Sequence, residues 1–103
     1  MLVAVVKFRL KPGEDRAGAL AEIAKTVPLY QRAGPALIRK AIHLDIEAGV
    51  GTSVYFWADR SAAEAFFTMA RAHIEAATGF APEVTLLDTD VLVDNVSDEV
   101  TFF

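Results

Sequence analysis

The sequence contains no cysteine and no hydrophobic run long enough to cross a bilayer. Without cysteine the chain forms no disulfide and has no thiol chemistry, and this composition is compatible with a reducing cytoplasm. A membrane-spanning helix needs about 20 mostly apolar residues. The apolar run at the N-terminus covers only residues 1–6, ends at Lys7, and lacks the charged start of a signal peptide. We therefore expect a cytoplasmic protein that does not enter a membrane.

Basic residues are also in short supply. The chain has 10 lysines and arginines against 14 aspartates and glutamates, a net charge of -4 and a pI near 5.0. Nucleic-acid binding needs a concentrated basic surface, so we expect no nucleic-acid partner. The two histidines, His43 and His73, lie far apart without a local carboxylate cluster. No phosphate-binding, dinucleotide-binding or metal-binding motif is present, so the sequence predicts neither a metal site nor a cofactor.

Hydrophobic residues, in contrast, are abundant. They make up 53% of the chain, and the mean hydropathy is +0.33. Average proteins contain about 45–50% apolar residues, and a domain of this length has only a small core in which to bury the surplus. The excess apolar surface therefore indicates a partner subunit, a ligand pocket or both.

The pattern of apolar residues predicts four strands and two helices. Pro12-Gly13 ends the first strand, Pro28 is expected to break or kink the first helix, and Gly79 ends the second helix, which Asp59 or Ser61 caps. The order is strand 2–10, helix from residue 14, strand 36–46, strand 52–58, helix to residue 78, and strand 84–93. This βαββαβ order predicts an α+β, ferredoxin-like sandwich, with a four-stranded antiparallel sheet and two helices on one face. We expect one domain over residues 1–95 and a C-terminal tail over 96–103.

The predicted strands carry apolar residues on both faces rather than a clean apolar and polar alternation. Two helices can cover only one face of such a sheet. The other face would then expose more apolar surface than a soluble monomer usually shows. Pairing of two such faces around a twofold axis would bury them, so the sequence predicts a homodimer.

Three segments carry a resemblance to a known family: GPALIRKAIHL, SVYFWADRSAAEAFF and PEVTLLDTDVLVDN. Together they resemble the YdhR-like mono-oxygenases of the dimeric α/β-barrel superfamily, which also contains the antibiotic-biosynthesis monooxygenases. The resemblance extends from the first strand to Asn95. It implies a dimeric barrel, a pocket between helices and sheet in each subunit, and oxidation of electron-rich aromatic molecules by dioxygen without flavin or metal. In that chemistry the deprotonated substrate itself reduces oxygen.

The same superfamily includes haem-degrading monooxygenases, and this sequence departs from them at three places. Those enzymes have an asparagine in the first strand, whereas the first strand here contains Lys7 and no asparagine. Phe66-Phe67 occupy the place of their tryptophan in the second helix. Ala76-Ala77 stand where their haem-ligating histidine would lie. These departures imply that no haem is bound.

Two residues are candidates for proton transfer. His73 lies on the predicted buried stripe of the second helix, where an imidazole could take a proton from a phenol or enol. The alternative is a histidine that only packs at the helix flank. Lys40 lies between Ile38 and Ile42 on an otherwise apolar face of the second strand. In one interpretation Lys40 binds the anionic group of a ligand or acts as a base. In the other, its ammonium only extends to the edge of the sheet.

Four further residues are candidates for contact with a substrate. Tyr55 and Trp57 project from the same face of the third strand, where they line a pocket or pack in the core or interface. Phe66 and Met69 lie on the stripe of the second helix and are core residues unless a pocket opens beside them.

Three functions are compatible with these residues. The first is a cofactor-independent monooxygenase that acts on a small aromatic or hydrophobic substrate in a helix–sheet pocket. The second is a non-catalytic binder of small hydrophobic molecules, in which Lys40 holds an acidic group. The third is an isomerase of the same superfamily, which would transfer protons without oxygen.

Overall fold

The computed structural model describes all residues from Met1 to Phe103. No helix is long and apolar enough to pass through a membrane. The elements, in chain order, are β1 (Leu2–Arg9), α1 (Arg16–Arg32), a short 3-10 helix (Gly34–Ala36), β2 (Leu37–Asp45), β3 (Val50–Trp57), α2 (Arg60–Thr78), β4 (Glu83–Asp88), β5 (Val91–Asp94) and β6 (Glu99–Phe102).

The first four strands form one antiparallel sheet in the order β2-β3-β1-β4. Strands β1 and β3 are central, and both are rich in β-branched and aromatic residues. Both helices pack on the same face of this sheet, against the side chains that alternate inward from β1 and β3. The predicted ferredoxin-like α+β fold is therefore confirmed.

Both helices begin at an aspartate that satisfies free backbone donors. The Asp15 carboxylate accepts a hydrogen bond from the Gly18 amide at 2.7 Å, and the Asp59 carboxylate accepts one from the Ala62 amide at 2.8 Å. Helix α2 ends at Gly79, as predicted, in the left-handed conformation that glycine adopts without strain. The predicted break at Pro28 is wrong, because α1 continues through Pro28 to Arg32.

The fourth predicted strand, residues 84–93, is in fact two strands. Strand β4 ends at Asp88, and β5 leaves the sheet to pair with β6 as a separate hairpin. The turn of this hairpin is closed by the Asp94 carboxylate, which accepts hydrogen bonds from the amides of Val96 and Ser97. Part of the predicted tail is therefore a strand.

A β-bulge in β2 changes which side chains face the helices. The register with β3 shifts between Leu37 and Arg39, so one extra residue, Ile38, is inserted. Leu37 consequently packs against the core, whereas Ile38 is exposed on the other side of the sheet. The predicted alternation of β2, which put Ile38 and Lys40 on one face, is wrong at Ile38 because of this bulge.

The core lies between the helices and the sheet and is rich in aromatic side chains. Its buried members are Leu2, Ala4, Val6, Tyr55, Trp57, Ala63, Phe66, Phe67 and Ala70. The predicted buried stripe of α2 is confirmed at Phe66 and Ala70. It is wrong at Met69 and His73, which are exposed because the stripe follows Ala63, Phe66, Phe67 and Ala70 instead.

Candidate functional site

A cavity of 160 Å³ lies between the sheet and the two helices, at the end of the aromatic core. Most of its lining is hydrophobic, and the polar groups that reach it come from β2, β3 and α1. The lining residues are Val6, Phe8, Glu22, Ile23, Thr26, Tyr30, Lys40, Ile42, Ser53, Tyr55, Ile74 and Ala77. A mostly apolar cavity with a few convergent polar groups is the usual form of a small-molecule site.

Lys40 is the only basic residue in this lining. It enters the cavity because it pairs with Tyr55 in the register of β2 and β3 and therefore shares the helix-facing side of the sheet. Its Nζ lies 3.0 Å from the centroid of the Tyr30 ring and 4.6 Å from that of Tyr55. The side chain is thus half-buried, and its amine lies over two aromatic rings.

No carboxylate pairs with Lys40. The three salt bridges of the chain join Lys25 to Glu22, and Arg60 to Glu64 and Asp88. Glu22 also lines the cavity, but its Oε1 lies 3.1 Å from the Nζ of Lys25. Burial without a counter-ion disfavours the charged form and lowers the pKa of Lys40 to about 7. The tyrosine faces favour the ammonium, and both protonation states are accessible near neutral pH.

Tyr55 supplies a protonated phenol beside this amine. Burial raises the pKa of Tyr55 well above its ordinary value, and the neighbouring Tyr30 adds to the rise, while Ser53 acts in the opposite direction. The Tyr30 and Tyr55 rings meet edge to face, with centroids 6.3 Å apart. Tyr55 is therefore a hydrogen-bond donor at every physiological pH.

Two of the predicted substrate contacts, Trp57 and Phe66, lie behind the cavity rather than in its lining. The Trp57 ring stacks with Tyr55 at 6.2 Å, and Phe66 packs against Tyr30, Tyr55 and Trp57 at centroid distances of 5.3–6.0 Å. The buried Trp57 Nε1 has no hydrogen-bond partner in the protein. These rings form a rigid wall that holds Tyr55 in place.

The other two predicted residues, His73 and Met69, lie on the exposed side of α2 and outside the cavity lining. The structure therefore brings Lys40 and Tyr55 together and leaves both of these side chains apart from them. The positions on α2 that do reach the cavity are Ile74 and Ala77.

Sequence reasoning missed the contribution of α1. Ile23, Thr26 and Tyr30 all line the cavity. They are spaced three and four residues apart, which places them on one face of the helix. That spacing was visible in the sequence, but the apolar spacing of Leu20, Ile23, Ala24 and Val27 predicted a different buried stripe. This prediction is wrong at Leu20, Ala24 and Val27, which are exposed.

A larger groove of 520 Å³ lies beside the cavity, around Phe80 and Phe8, the second of which lines both. Its charged residues, Lys7, Arg9 and Glu83, are all exposed, and the Arg9 guanidinium lies over the Phe80 ring at 4.6 Å. No group of three or more histidine, aspartate or glutamate side chains is placed to hold a metal ion. Because hydration of exposed charges weakens their interactions, we assign the chemistry to the smaller cavity.

Comparisons with known proteins bear on this architecture. No protein-family model matches the sequence, and no curated protein matches it. The chain is similar to a solved structure described as a "Putative antibiotic biosynthesis monooxygenase" from Bordetella bronchiseptica, with 23% identity, a TM-score of 0.63, and coverage of 85% of this chain and 95% of the other. A second, described as an antibiotic biosynthesis monooxygenase, gives 22% identity, a TM-score of 0.53, and coverage of 86% and 98%. These likenesses establish the fold.

Proposed function

We propose that the protein is a cofactor-independent monooxygenase that oxidises small phenols or quinols in the Lys40 cavity. The observation that carries this proposal is an unpaired amine, held against two tyrosine rings in an apolar cavity. The names of the two structural neighbours support the same reaction class. We also propose that the chain is one of the YdhR-like mono-oxygenases, which its three sequence segments resemble.

The size of the cavity limits the substrate. An apolar cavity of about 150 Å³ accommodates one benzene-sized molecule, and this cavity has 160 Å³. A single aromatic ring therefore fits. We propose a one-ring substrate with an ionisable hydroxyl group.

Lys40 would act as the general base. Its neutral amine takes the proton of the substrate hydroxyl, which activates the ring towards oxidation. The resulting ammonium then lies beside the phenolate, and the protonated Tyr55 hydroxyl stabilises the same oxyanion. Both interactions are stronger in a mostly apolar cavity than in bulk water.

Dioxygen is the oxidant, and the substrate is the only reductant. The phenolate transfers one electron to dioxygen, and the two radicals combine at a ring carbon to form a peroxide. Loss of water from this peroxide leaves a carbonyl group at the former C–H position. One oxygen atom of dioxygen is thus found in the product and the other in water, so the reaction balances without a further reductant.

Oxygen uptake with hydroquinone as the probe tests this proposal. With isotopically labelled dioxygen, we expect hydroxybenzoquinone that carries one labelled oxygen atom, with one dioxygen consumed per product. Uncatalysed autoxidation gives unlabelled benzoquinone and hydrogen peroxide, which a protein-free control measures. Turnover in strictly anaerobic buffer would instead show an isomerase. Binding that raises the melting temperature without any product would show a ligand-binding protein.

We also propose that two copies of the chain form a homodimer through the sheet face opposite the helices. The accessible surface of one subunit is 6732 Å², whereas a compact monomer of this mass has about 5,700 Å². The excess of about 1,000 Å² is close to the area that one partner buries in a standard interface. Six of the thirteen exposed large hydrophobic residues belong to the last thirteen positions, in and around the β5–β6 hairpin.

Light scattering at micromolar concentration tests the dimer. We expect a mass of twice 11.2 kDa for the native chain. Leu87 is 53% exposed on the open sheet face, and a charge placed there by Leu87→Glu should give monomers because it cannot be desolvated in the interface. Leu20, 50% exposed on α1, provides a matched control, and Leu20→Glu should remain dimeric. A monomeric native protein would contradict the proposal.

A further inference from the structure

The cavity contains a primary amine in surroundings that favour nucleophilic attack. Lys40 has no acidic partner, and its half-buried Nζ lies over two aromatic rings in a mostly apolar cavity. An amine becomes a nucleophile when it is desolvated in a hydrophobic pocket, because the neutral form then carries a free lone pair. The same amine can therefore act as a nucleophile as well as a general base.

We propose that Lys40 forms an imine with small aromatic aldehydes and ketones that enter the cavity. This carbonyl-binding activity is separate from the oxygen chemistry proposed above and does not depend on it. The ligand class follows from the cavity, which offers 160 Å³, an apolar lining and one amine. A benzaldehyde-sized molecule satisfies all three conditions.

The step balances without any oxidant or reductant. The Nζ lone pair attacks the carbonyl carbon, and a proton moves from nitrogen to oxygen to give a carbinolamine. Loss of the hydroxyl group as water then forms the C=N bond. One hydrogen of that water is the proton moved from nitrogen and the other comes from a proton donor, which is restored by the remaining N–H proton when the iminium becomes the neutral imine. The Tyr55 hydroxyl, which is protonated and lies beside the Tyr30 and Ser53 hydroxyls, is suited to donate a proton to the departing oxygen.

The other lysines of the chain provide internal controls. There are four lysines, and Lys7, Lys11 and Lys25 are exposed to solvent. Lys25 is also held by Glu22 in a salt bridge of 3.1 Å. An exposed ammonium is hydrated and is not a nucleophile until it loses its proton. Modification of Lys40 in preference to these three therefore measures the effect of the cavity itself.

The pH dependence of imine formation follows from the groups that face Lys40. These are Tyr30 on α1 and Tyr55 on β3, with Glu22 at the rim of the cavity. Tyr55 stays protonated, and Glu22 is held by Lys25 as a carboxylate whose pKa is lowered mainly by that hydrogen bond. Burial lowers the pKa of Lys40 to about 7, so selectivity for Lys40 should be evident near neutral pH.

Reductive trapping tests the inference. The protein is incubated anaerobically with limiting benzaldehyde at pH 7, treated with borohydride, digested, and analysed by mass spectrometry. We expect a benzyl group on Lys40 at least about tenfold more often than on Lys7, Lys11 or Lys25. Equal labelling of the four lysines, or labelling that spares Lys40, would overturn the inference.

A second variant separates chemistry from folding. Lys40→Arg keeps a long cationic side chain but cannot form an imine, so the preferential benzyl label should disappear while the fluorescence of Trp57 is unchanged. Competition by acetophenone should also lower the labelling of Lys40 in the native chain. The trapping experiment is anaerobic, so it is independent of the aerobic oxygen-uptake assay. If trapping fails while the uptake assay gives normal turnover, the imine is rejected and the monooxygenase proposal is unaffected.

Discussion

Replacement of Lys40 by methionine is expected to lower kcat for quinol oxidation at least about a hundredfold, the usual contribution of a positioned base. Methionine has a similar length and an apolar side chain, so it fills the same space between Tyr30 and Tyr55 but cannot take a proton. Oxygen uptake at saturating hydroquinone gives the comparison. A variant that retains native turnover would remove Lys40 from the mechanism.

The pH profile distinguishes a base from a merely structural lysine. The reaction needs the neutral amine of the free enzyme, and burial lowers the pKa of Lys40 to about 7. We therefore expect kcat/KM to rise with pH and to level off above about pH 7–8. One control should behave as the native protein does: His73→Ala, because His73 is exposed outside the cavity. Loss of turnover in His73→Ala would restore the histidine as the base.

Loss of activity in Lys40→Met should not result from unfolding. The pKa of Lys40 is about 7 in the folded chain against 10.5 for an ordinary lysine. Between these values the unfolded chain binds more protons, so the free energy of unfolding of the native protein rises with pH across this window. The variant lacks this dependence. It should be the more stable protein near pH 7, and denaturant titrations should show the difference narrowing towards pH 10.

Replacement of Phe66 by alanine is expected to lower the free energy of unfolding by about 3–5 kcal/mol, the range found for large aromatic residues in cores. Phe66 is only 8% exposed and contacts the rings of Tyr30, Tyr55, Trp57 and Phe67. Its removal leaves a void in the wall behind the cavity. Chemical denaturation at one pH measures the loss.

Met69 is a matched control on the same helix. It lies three residues from Phe66 but is 43% exposed, so Met69→Ala should change the free energy of unfolding by less than about 1 kcal/mol. Equal losses for the two variants would contradict the burial pattern of α2. A small loss for Phe66→Ala alone would show that the aromatic wall collapses to fill the void.

The sequence was sufficient to predict the fold because its signals were local and consistent. Alternation along β1 and β3, an aspartate before α2 and a glycine after it each indicated the same arrangement. Pro28 and the end of β4 could not be predicted in this way. A proline is tolerated where the surrounding helix is held by tertiary packing, and Leu29 and Tyr30 pack on the core directly after it.

The candidate site could be predicted only in part. The placement of Tyr55 under the helices follows from the two-residue period of β3, whereas the exposure of His73 depends on how α2 is rotated about its axis. That rotation is set by Phe66 and Phe67, which are both buried although they are neighbours in sequence. The contact of Lys40 with Tyr30 joins two elements whose relative position no local pattern encodes.

The protonation of Lys40 in the unmodified protein is the most direct test, because both the base and the imine depend on a neutral amine in the cavity. Nuclear magnetic resonance of side-chain-labelled lysine, titrated from pH 5 to pH 11, follows each amine separately, and Lys40→Arg identifies the resonance by its loss. We expect Lys40 to titrate at a pKa of about 7. A midpoint at the ordinary lysine value of about 10.4 would contradict both the role of Lys40 as a base and its proposed imine formation.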